Sequence, residues 1–308
     1  MFFKKIFISI ILSFLFYNFT ISQEIIIVSK VNDEIITNID IENEKKYLLL
    51  LNNNLEKLTE DEILNLAKNS LIKEKVKKKE IDRLFVKKNK NVENKIIKNF
   101  YNKLGFDKEK NFIDFLKKKE INYESLKEKI VLEALWNQII FNNFNKRVRI
   151  DESLLKKKII DYYNSKDKKF EYQLSEIVIG NEKNIELKKK EIYKYIKQFG
   201  FKIAANKYSS SDTSKYGGDI GWIKGTRLSN NIKNKISKIK VGDVSEPIQV
   251  SNGYLFLKVN NKKEIQEKFD LDKELKQQIN FEKNRQLNQF SLNYYKKLKK
   301  NVIIYENK

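Results

Sequence analysis

The chain has 308 residues, a formal net charge of +22, and neither histidine nor cysteine. These absences exclude disulfides, the usual zinc ligand sets, imidazole general bases and Ser-His-Asp or Cys-His catalytic sites. A nucleic-acid partner is not expected, because arginine, the favoured group for base and phosphate contacts, supplies only five of the 63 basic residues. The lysines are spread over the predicted helices as on solvated faces, and attraction to anionic lipid or acidic unfolded chains stays open.

The first segment has the pattern of an export signal. Lys4 and Lys5 precede an apolar run over residues 6–19, which is followed by Thr-Ile-Ser, with small residues at the two cleavage-determining positions. This pattern predicts a signal peptide over residues 1–22 that is cleaved near Ser22/Gln23, and a soluble, exported mature chain. An uncleaved anchor is the alternative, although the run is short of the ~20 residues that a spanning helix needs.

The next part predicts a β-hairpin followed by helices. Residues 24–31 and 34–36 are β-branched strands around the turn Asn32-Asp33, and Thr37 is a candidate N-cap. Three helices are predicted over residues 39–51, 92–104 and 123–144. Three more are predicted to begin at capping residues: one runs from the capping box of Thr59 to about residue 79, one follows Asp107, and one runs from Asp151 to about residue 163.

Both ends of the chain are predicted to meet in one sheet. Residues 260–268 read as a charged linker, 271–298 as a long helix and 302–306 as a terminal strand. An isolated strand needs a partner, and the unpaired candidate is the strand over residues 24–31. We therefore expect a helical domain built from both termini, with the intervening unit inserted into it.

That inserted unit is centred on a glycine-rich loop. A strand over residues 172–179 and helices over 185–198 and 201–208 precede Gly-Gly-Asp-Ile-Gly-Trp, which ends at Trp222. Residues 242–259 then read Gly-Asp-Val-Ser-Glu-Pro-Ile, and Gly-Tyr-Leu-Phe-Leu-Lys-Val after Asn252. This order of motifs over residues 173–259 resembles the parvulin family of peptidyl-prolyl isomerases, which implies an α/β, FKBP-like domain that needs no cofactor or metal.

The resemblance also implies a site. The family's first-strand histidine falls on Glu176, its last-strand histidine on Leu255, and its loop Cys or Asp on Ser211 or Asp212. The predicted catalytic residues are thus Asp212, Ser211 and Glu176. The predicted substrate-binding residues are Ile220, Trp222, Leu228, Ile232, Asn252 and Leu255. Because both family histidines are absent, we expect weak or no isomerase activity with retained peptide binding; an active isomerase with an altered polar set is the alternative.

The organisation of the whole chain resembles the SurA family of periplasmic chaperones. The carrying features are Val-Asn-Asp-Glu-Ile-Ile-Thr at residues 31–37 with Asp40, the segment 111–130, one parvulin unit, and the terminal helix and strand. The resemblance implies an α+β protein with a signal peptide (1–22), a helical domain (23–169), a parvulin-like unit (170–262) and a segment that completes the helical domain (263–308). It also implies a periplasmic chaperone that binds unfolded exported polypeptides, outer-membrane β-barrel precursors above all, in a groove of the helical domain. A scaffold protein that binds an anionic membrane surface by charge is the third hypothesis.

Overall fold

The computed structural model of the protein describes residues 24–84, 89–165, 169–251, 253–265 and 269–306. The predicted signal segment and Asn252 lie outside these residues. Across the described ranges, no helix combines the length and the hydropathy needed to cross a bilayer.

The architecture is α+β, as predicted. The strands are β1 (Ile27–Val31), β2 (Glu34–Thr37), β3 (Phe170–Ile179), β4 (Asp219–Lys224), β5 (Ile248–Val250), β6 (Gly253–Glu264) and β7 (Ile304–Glu306). The α-helices are α1 (Asn38–Leu51), α2 (Glu60–Arg83), α3 (Lys90–Lys103), α4 (Glu109–Lys118), α5 (Tyr123–Phe144), α6 (Glu152–Asn164), α7 (Ile185–Phe199), α8 (Phe201–Tyr208), α9 (Asn230–Ile236) and α10 (Leu271–Lys299).

The two ends of the chain pair in a three-stranded antiparallel sheet of order β2-β1-β7. Ser29 lies opposite Glu306, and its hydroxyl donates a hydrogen bond to the carbonyl of Tyr305 at 2.9 Å. Val31 and Ile36 turn inward and are buried among the helices. This pairing confirms the prediction that the two ends of the chain meet in one small sheet.

Local capping side chains explain eight of the ten helix starts that the structure describes, and the exceptions are α8, which begins after Gly200, and α4. Thr37 and Thr59 each form a complete capping box, with Asp40 and Glu62 respectively. Asp107 was expected to cap the fourth helix, and this prediction is wrong. That helix begins at Glu109, and the preceding residue, Lys108, makes no side-chain capping bond.

The parvulin-like unit is built on an antiparallel sheet of order β4-β3-β6-β5. Strand β6 is longer than expected, because Glu264 still pairs with Phe170 at the start of β3. The prediction of a charged linker from residue 260 is therefore wrong for residues 260–264. Residues 260–264 are all polar or charged, so their composition does not predict a strand, and it is pairing with β3 that extends β6 through them.

The unit shares a hydrophobic core with the helical domain. Ile177 and Ile179 on one face of β3 belong to the same buried cluster as Leu55 and Ile63 of the helical domain. Polar contacts cross the same boundary: the Asn52 side-chain amide donates to Asn206 at 2.7 Å, and the Tyr195 hydroxyl donates to Glu62 at 3.2 Å. The inserted unit is thus docked by apolar packing as well as by polar contacts.

Helix α10 runs from the parvulin-like unit back to the terminal sheet. Its middle packs on α5, where the buried Trp136 donates its indole N–H to Ser291 at 2.9 Å and stacks on Tyr294 at 5.7 Å between ring centres. Its first half lies against the parvulin-like unit through the contacts described below.

Candidate functional site

The apolar part of the predicted site is assembled on one face of the unit's sheet. Ile220 of β4, Leu255 of β6, Leu228, and Ile232 of α9 all join one hydrophobic cluster. We call these four residues the apolar slot. Leu255 is buried, whereas the other three are partly exposed. The predicted slot residues therefore come together.

Glu176 lies on the same face of the sheet, next to the slot. Its strand places it opposite Leu257 and beside Val178, which pairs with Leu255. One carboxylate oxygen, Oε1, accepts hydrogen bonds from the Ser211 hydroxyl at 2.8 Å and the Thr213 hydroxyl at 3.0 Å. Burial raises the pKa of Glu176, and the two hydroxyl donors offset only part of that effect.

The glycine-rich loop holds this arrangement through a close backbone contact. Gly218 has φ of +77°, and a Cβ there would lie 2.2 Å from the carbonyl oxygen of Glu176. The Glu176 amide in turn donates to the Gly218 carbonyl at 2.7 Å. Only glycine meets both demands, so the Gly-Gly pair positions the loop against β3.

Asp212 faces the helical domain rather than Glu176. Its carboxylate lies 2.6 Å from the Lys73 ammonium and 3.8 Å from that of Lys77, both on α2. Lys77 is 1% exposed and also contacts Glu133 of α5 at 2.7 Å. Burial would raise the pKa of Asp212, but the two lysines outweigh it and hold that pKa well below its usual range. The predicted catalytic set is therefore divided: Ser211 joins Glu176, and Asp212 joins an ion network with the helices.

Two cavities border this junction. One of about 190 Å³ is lined by Glu176, Val178, Asp212 and residues of α2 and α10. A larger one of about 310 Å³ lies between helices α1, α2, α5 and α10 and the loop that carries Asp212. Its walls mix tyrosine and leucine with charged groups, among them Glu44, which is ion-paired to Lys129 at 2.6 Å.

Helix α10 covers part of the slot face. Phe281 packs against the cluster that contains the slot, and its ring lies 5.8 Å from the Arg227 guanidinium. Arg227 also donates to Gln277 at 2.7 Å, and Gln278 donates to the Thr226 carbonyl at 3.2 Å. The face that carries the predicted substrate-binding residues is thus contacted by the protein's own C-terminal helix.

Trp222, also predicted to bind substrate, does not share this face. It pairs with Gln173 in β3, and the Lys263 ammonium lies 4.3 Å from the centre of its ring. Its neighbour Ile223 points into the slot cluster instead. Because adjacent strand residues point to opposite faces, the structure separates Trp222 from the slot. Asn252 lies outside the described residues, so its assignment stays a prediction.

Sequence reasoning missed Thr213, Lys73 and Phe281. The hydroxyl pair two residues apart in Ser-Asp-Thr was a usable signal for Thr213, since both side chains reach the same carboxylate. No local signal marks Lys73 or Phe281, because both reach the site through tertiary packing. The part of the chain that the structure describes contains no group of three or more acidic side chains placed to bind a metal ion.

Comparison with known proteins identifies the unit. Residues 175–261 match the rotamase family model described as the PPIC-type PPIASE domain, so the chain carries a domain of that family. The chaperone SurA of Pseudomonas putida is 24% identical over 154 residues, which are 46% of this chain and 36% of that protein. The foldase protein PrsA of a Geobacillus species is 32% identical over 133 residues, 43% of this chain and 45% of the relative. The chain thus matches less than half the length of these relatives.

One solved structure aligns with most of the chain at low similarity. It comes from a study of PEB4 and Cj1289 as SurA-like chaperones of Campylobacter jejuni. It is 18% identical, and the alignment covers 92% of this chain and 99% of that chain with a TM-score of 0.39.

Proposed function

We propose that this chain, whose residues 175–261 form a PPIC-type rotamase domain, is an exported chaperone that binds unfolded polypeptides and isomerises prolines weakly or not at all. Partial homology to the chaperone SurA and the foldase PrsA supports the chaperone function. The expected compartment is the periplasm, after cleavage near Ser22/Gln23.

The observation that carries the proposed low isomerase activity is that α10 packs against the cluster that contains the slot. Prolyl isomerisation needs a proline ring to enter an apolar pocket beside polar groups that act on its amide bond. Here Phe281 packs on the slot cluster, and Lys73 engages Asp212. In this arrangement the parvulin-like unit is packed against the helical domain and serves as a structural part of the chaperone.

The proposed clients are outer-membrane β-barrel precursors. Such chains are extended and alternate apolar with polar residues, so apolar surface can bind them at ~25 cal/mol per Å² buried. The net charge of +22 adds salt-sensitive attraction to acidic segments and to anionic membrane surfaces. A nucleic-acid partner is not part of this proposal.

Suppression of aggregation of a denatured porin tests the chaperone proposal. The protein should reduce light scattering in a concentration-dependent way, and a Glu176→Ala variant should suppress scattering as well as the parent does. Failure of the parent would contradict chaperoning. Failure of only the folded Glu176→Ala variant would place client binding in the site around Glu176 instead.

An active isomerase is the second candidate, and the contacts of Glu176 favour it. Two hydroxyls bind one carboxylate oxygen beside the slot, which leaves the other oxygen for a substrate. Acceleration of prolyl isomerisation in a short peptide, abolished in Glu176→Gln and in a Ser211→Ala/Thr213→Val double variant, would establish this function. A rate equal to the uncatalysed one would exclude it.

A further inference from the structure

The terminal sheet carries an unusual concentration of exposed apolar side chains. Among the described residues, fifteen large apolar side chains are exposed, and six of them lie on or beside this small sheet. These six, which we call the terminal-sheet patch, are between 44% and 67% exposed: Ile25, Ile26, Ile27, Ile35, Ile303 and Tyr305. Single exposed apolar residues are ordinary, whereas a group of this kind marks an interaction surface.

Strand register orders part of the patch into a row. Lys30 of β1 lies opposite Ile35 of β2 and opposite Tyr305 of β7. Its neighbours Ser29 and Val31 are buried, so Lys30 and its two partners face outward together. The outer face of the sheet therefore presents an aliphatic, a cationic and an aromatic side chain side by side.

The charge around the patch is positive. The acidic residues of the paired strands, Glu34 and Glu306, are held by lysines of α2 at distances of 2.7 to 3.0 Å. Helix α10 ends next to the patch with lysines at positions 297, 299 and 300, all exposed. Together with Lys30 these lysines number four and outnumber the three exposed acids nearby that the structure describes, Glu24, Asp33 and Glu306.

We propose that the terminal-sheet patch docks on the surface of an anionic phospholipid bilayer. Isoleucines enter the boundary between headgroups and acyl chains, tyrosine sits at headgroup level, and lysines bind the phosphates. A second copy of the chain is a poorer occupant, because it would bring like charges together. The inference rests on the proposed function in one respect: the protein must be exported in order to meet an anionic bilayer surface outside the cytoplasm.

Vesicle flotation tests the proposal with the chain that begins at Gln23, which keeps every described element. It should float with vesicles that contain phosphatidylglycerol and much less with vesicles of phosphatidylcholine alone. An Ile27→Thr/Ile35→Thr/Tyr305→Thr variant keeps β-formers in the strands and should lose at least about tenfold in vesicle affinity. The matched control, Leu154→Thr/Leu187→Thr/Val241→Thr, removes equally exposed side chains elsewhere and should bind like the parent.

Other results would overturn the proposal. These are no flotation of the parent, equal flotation of parent and patch variant, or equal loss in the control variant. Sedimentation that shows a dimer lost in the patch variant would identify a second copy as the occupant. Loss of porin binding in the patch variant, without lipid, would identify a client strand. Porin aggregation assayed without vesicles keeps this test separate from the chaperone proposal.

Discussion

The ion network between the parvulin-like unit and the helices supports a quantitative prediction at Lys77. Its side chain is 1% exposed, and its ammonium lies 2.7 and 3.0 Å from the two oxygens of Glu133. Lys77→Met keeps the aliphatic stem over Trp136 but removes the charge. The carboxylates of Glu133 and Asp212 then lose a shared cation in a poorly solvated place.

Removing one partner of a buried ion pair costs about 3–5 kcal/mol. Here Glu133 is 31% exposed and Asp212 keeps Lys73, so we expect a smaller loss of about 2–3 kcal/mol. For a protein of this size that loss corresponds to a fall in Tm of about 3–5 °C, measured by circular dichroism.

Two further variants make this prediction refutable. Lys78→Met removes a lysine on the same helix whose partner, Glu34, is 42% exposed, and should cost only about 0.2–1 kcal/mol. Lys77→Met/Glu133→Gln removes both charges and should recover most of the lost stability. The reasoning fails if Lys77→Met melts like the parent, or if the double variant is no more stable than the single one.

Three other predictions concern the site. Burial raises the pKa of Glu176 in the folded state, so the protonated side chain favours folding. The contribution of Glu176 to stability is complete below its unfolded-state pKa and is lost as the pH rises through its folded-state pKa. Glu176→Gln should therefore raise Tm near pH 7, and this gain in Tm should vanish near pH 4. Gly218→Ala should lower the free energy of unfolding in urea by at least about 3 kcal/mol, because it combines positive φ with overlap between the new Cβ and the backbone. Gly242→Ala has positive φ but open space around the new Cβ, so it should cost only about 1 kcal/mol. Equal losses would contradict the close-contact argument. Phe281→Ala should lower the free energy of unfolding by about 1.5–2.5 kcal/mol, half the usual loss for a fully buried phenylalanine, because Phe281 is only partly buried. The same variant should bind a proline peptide more tightly than the parent. Unchanged peptide binding would show that α10 does not restrict the slot.

Local patterns predicted the elements well, because their causes are local. Thr37 and Thr59 recruit donors within three residues, so their capping boxes are readable from sequence. The terminal strand β7 could also be recognised from the sequence, because its segment is β-branched. An isolated strand needs a partner, and few predicted strands were free to pair with it. The grouping of Ile220, Leu228, Ile232 and Leu255 came from the motif resemblance.

Long-range packing decided what the sequence could not predict. The Asp212 carboxylate points toward Lys73 and Lys77, which lie on α2 more than a hundred positions earlier in the chain. Phe281 reaches the slot cluster because α10 crosses the unit, and its local periodicity says nothing about that destination. The sheet face of Trp222 could not be assigned from alternation alone, because the pairing between β3 and β4 is bulged.

The pairing of β1 with β7 also determines when this protein can finish folding. The hydrogen bond from Ser29 joins residues 276 positions apart, so the first strand to leave the ribosome waits for the last. Early folding of the sheet of β3 to β6 brings Phe170 next to Glu264 and shortens the loop that remains to be closed, which lowers its entropic cost. Until then one edge of β1 stays open. A chain truncated before β7 would keep that open edge permanently, and proteases could then distinguish incomplete copies from finished ones.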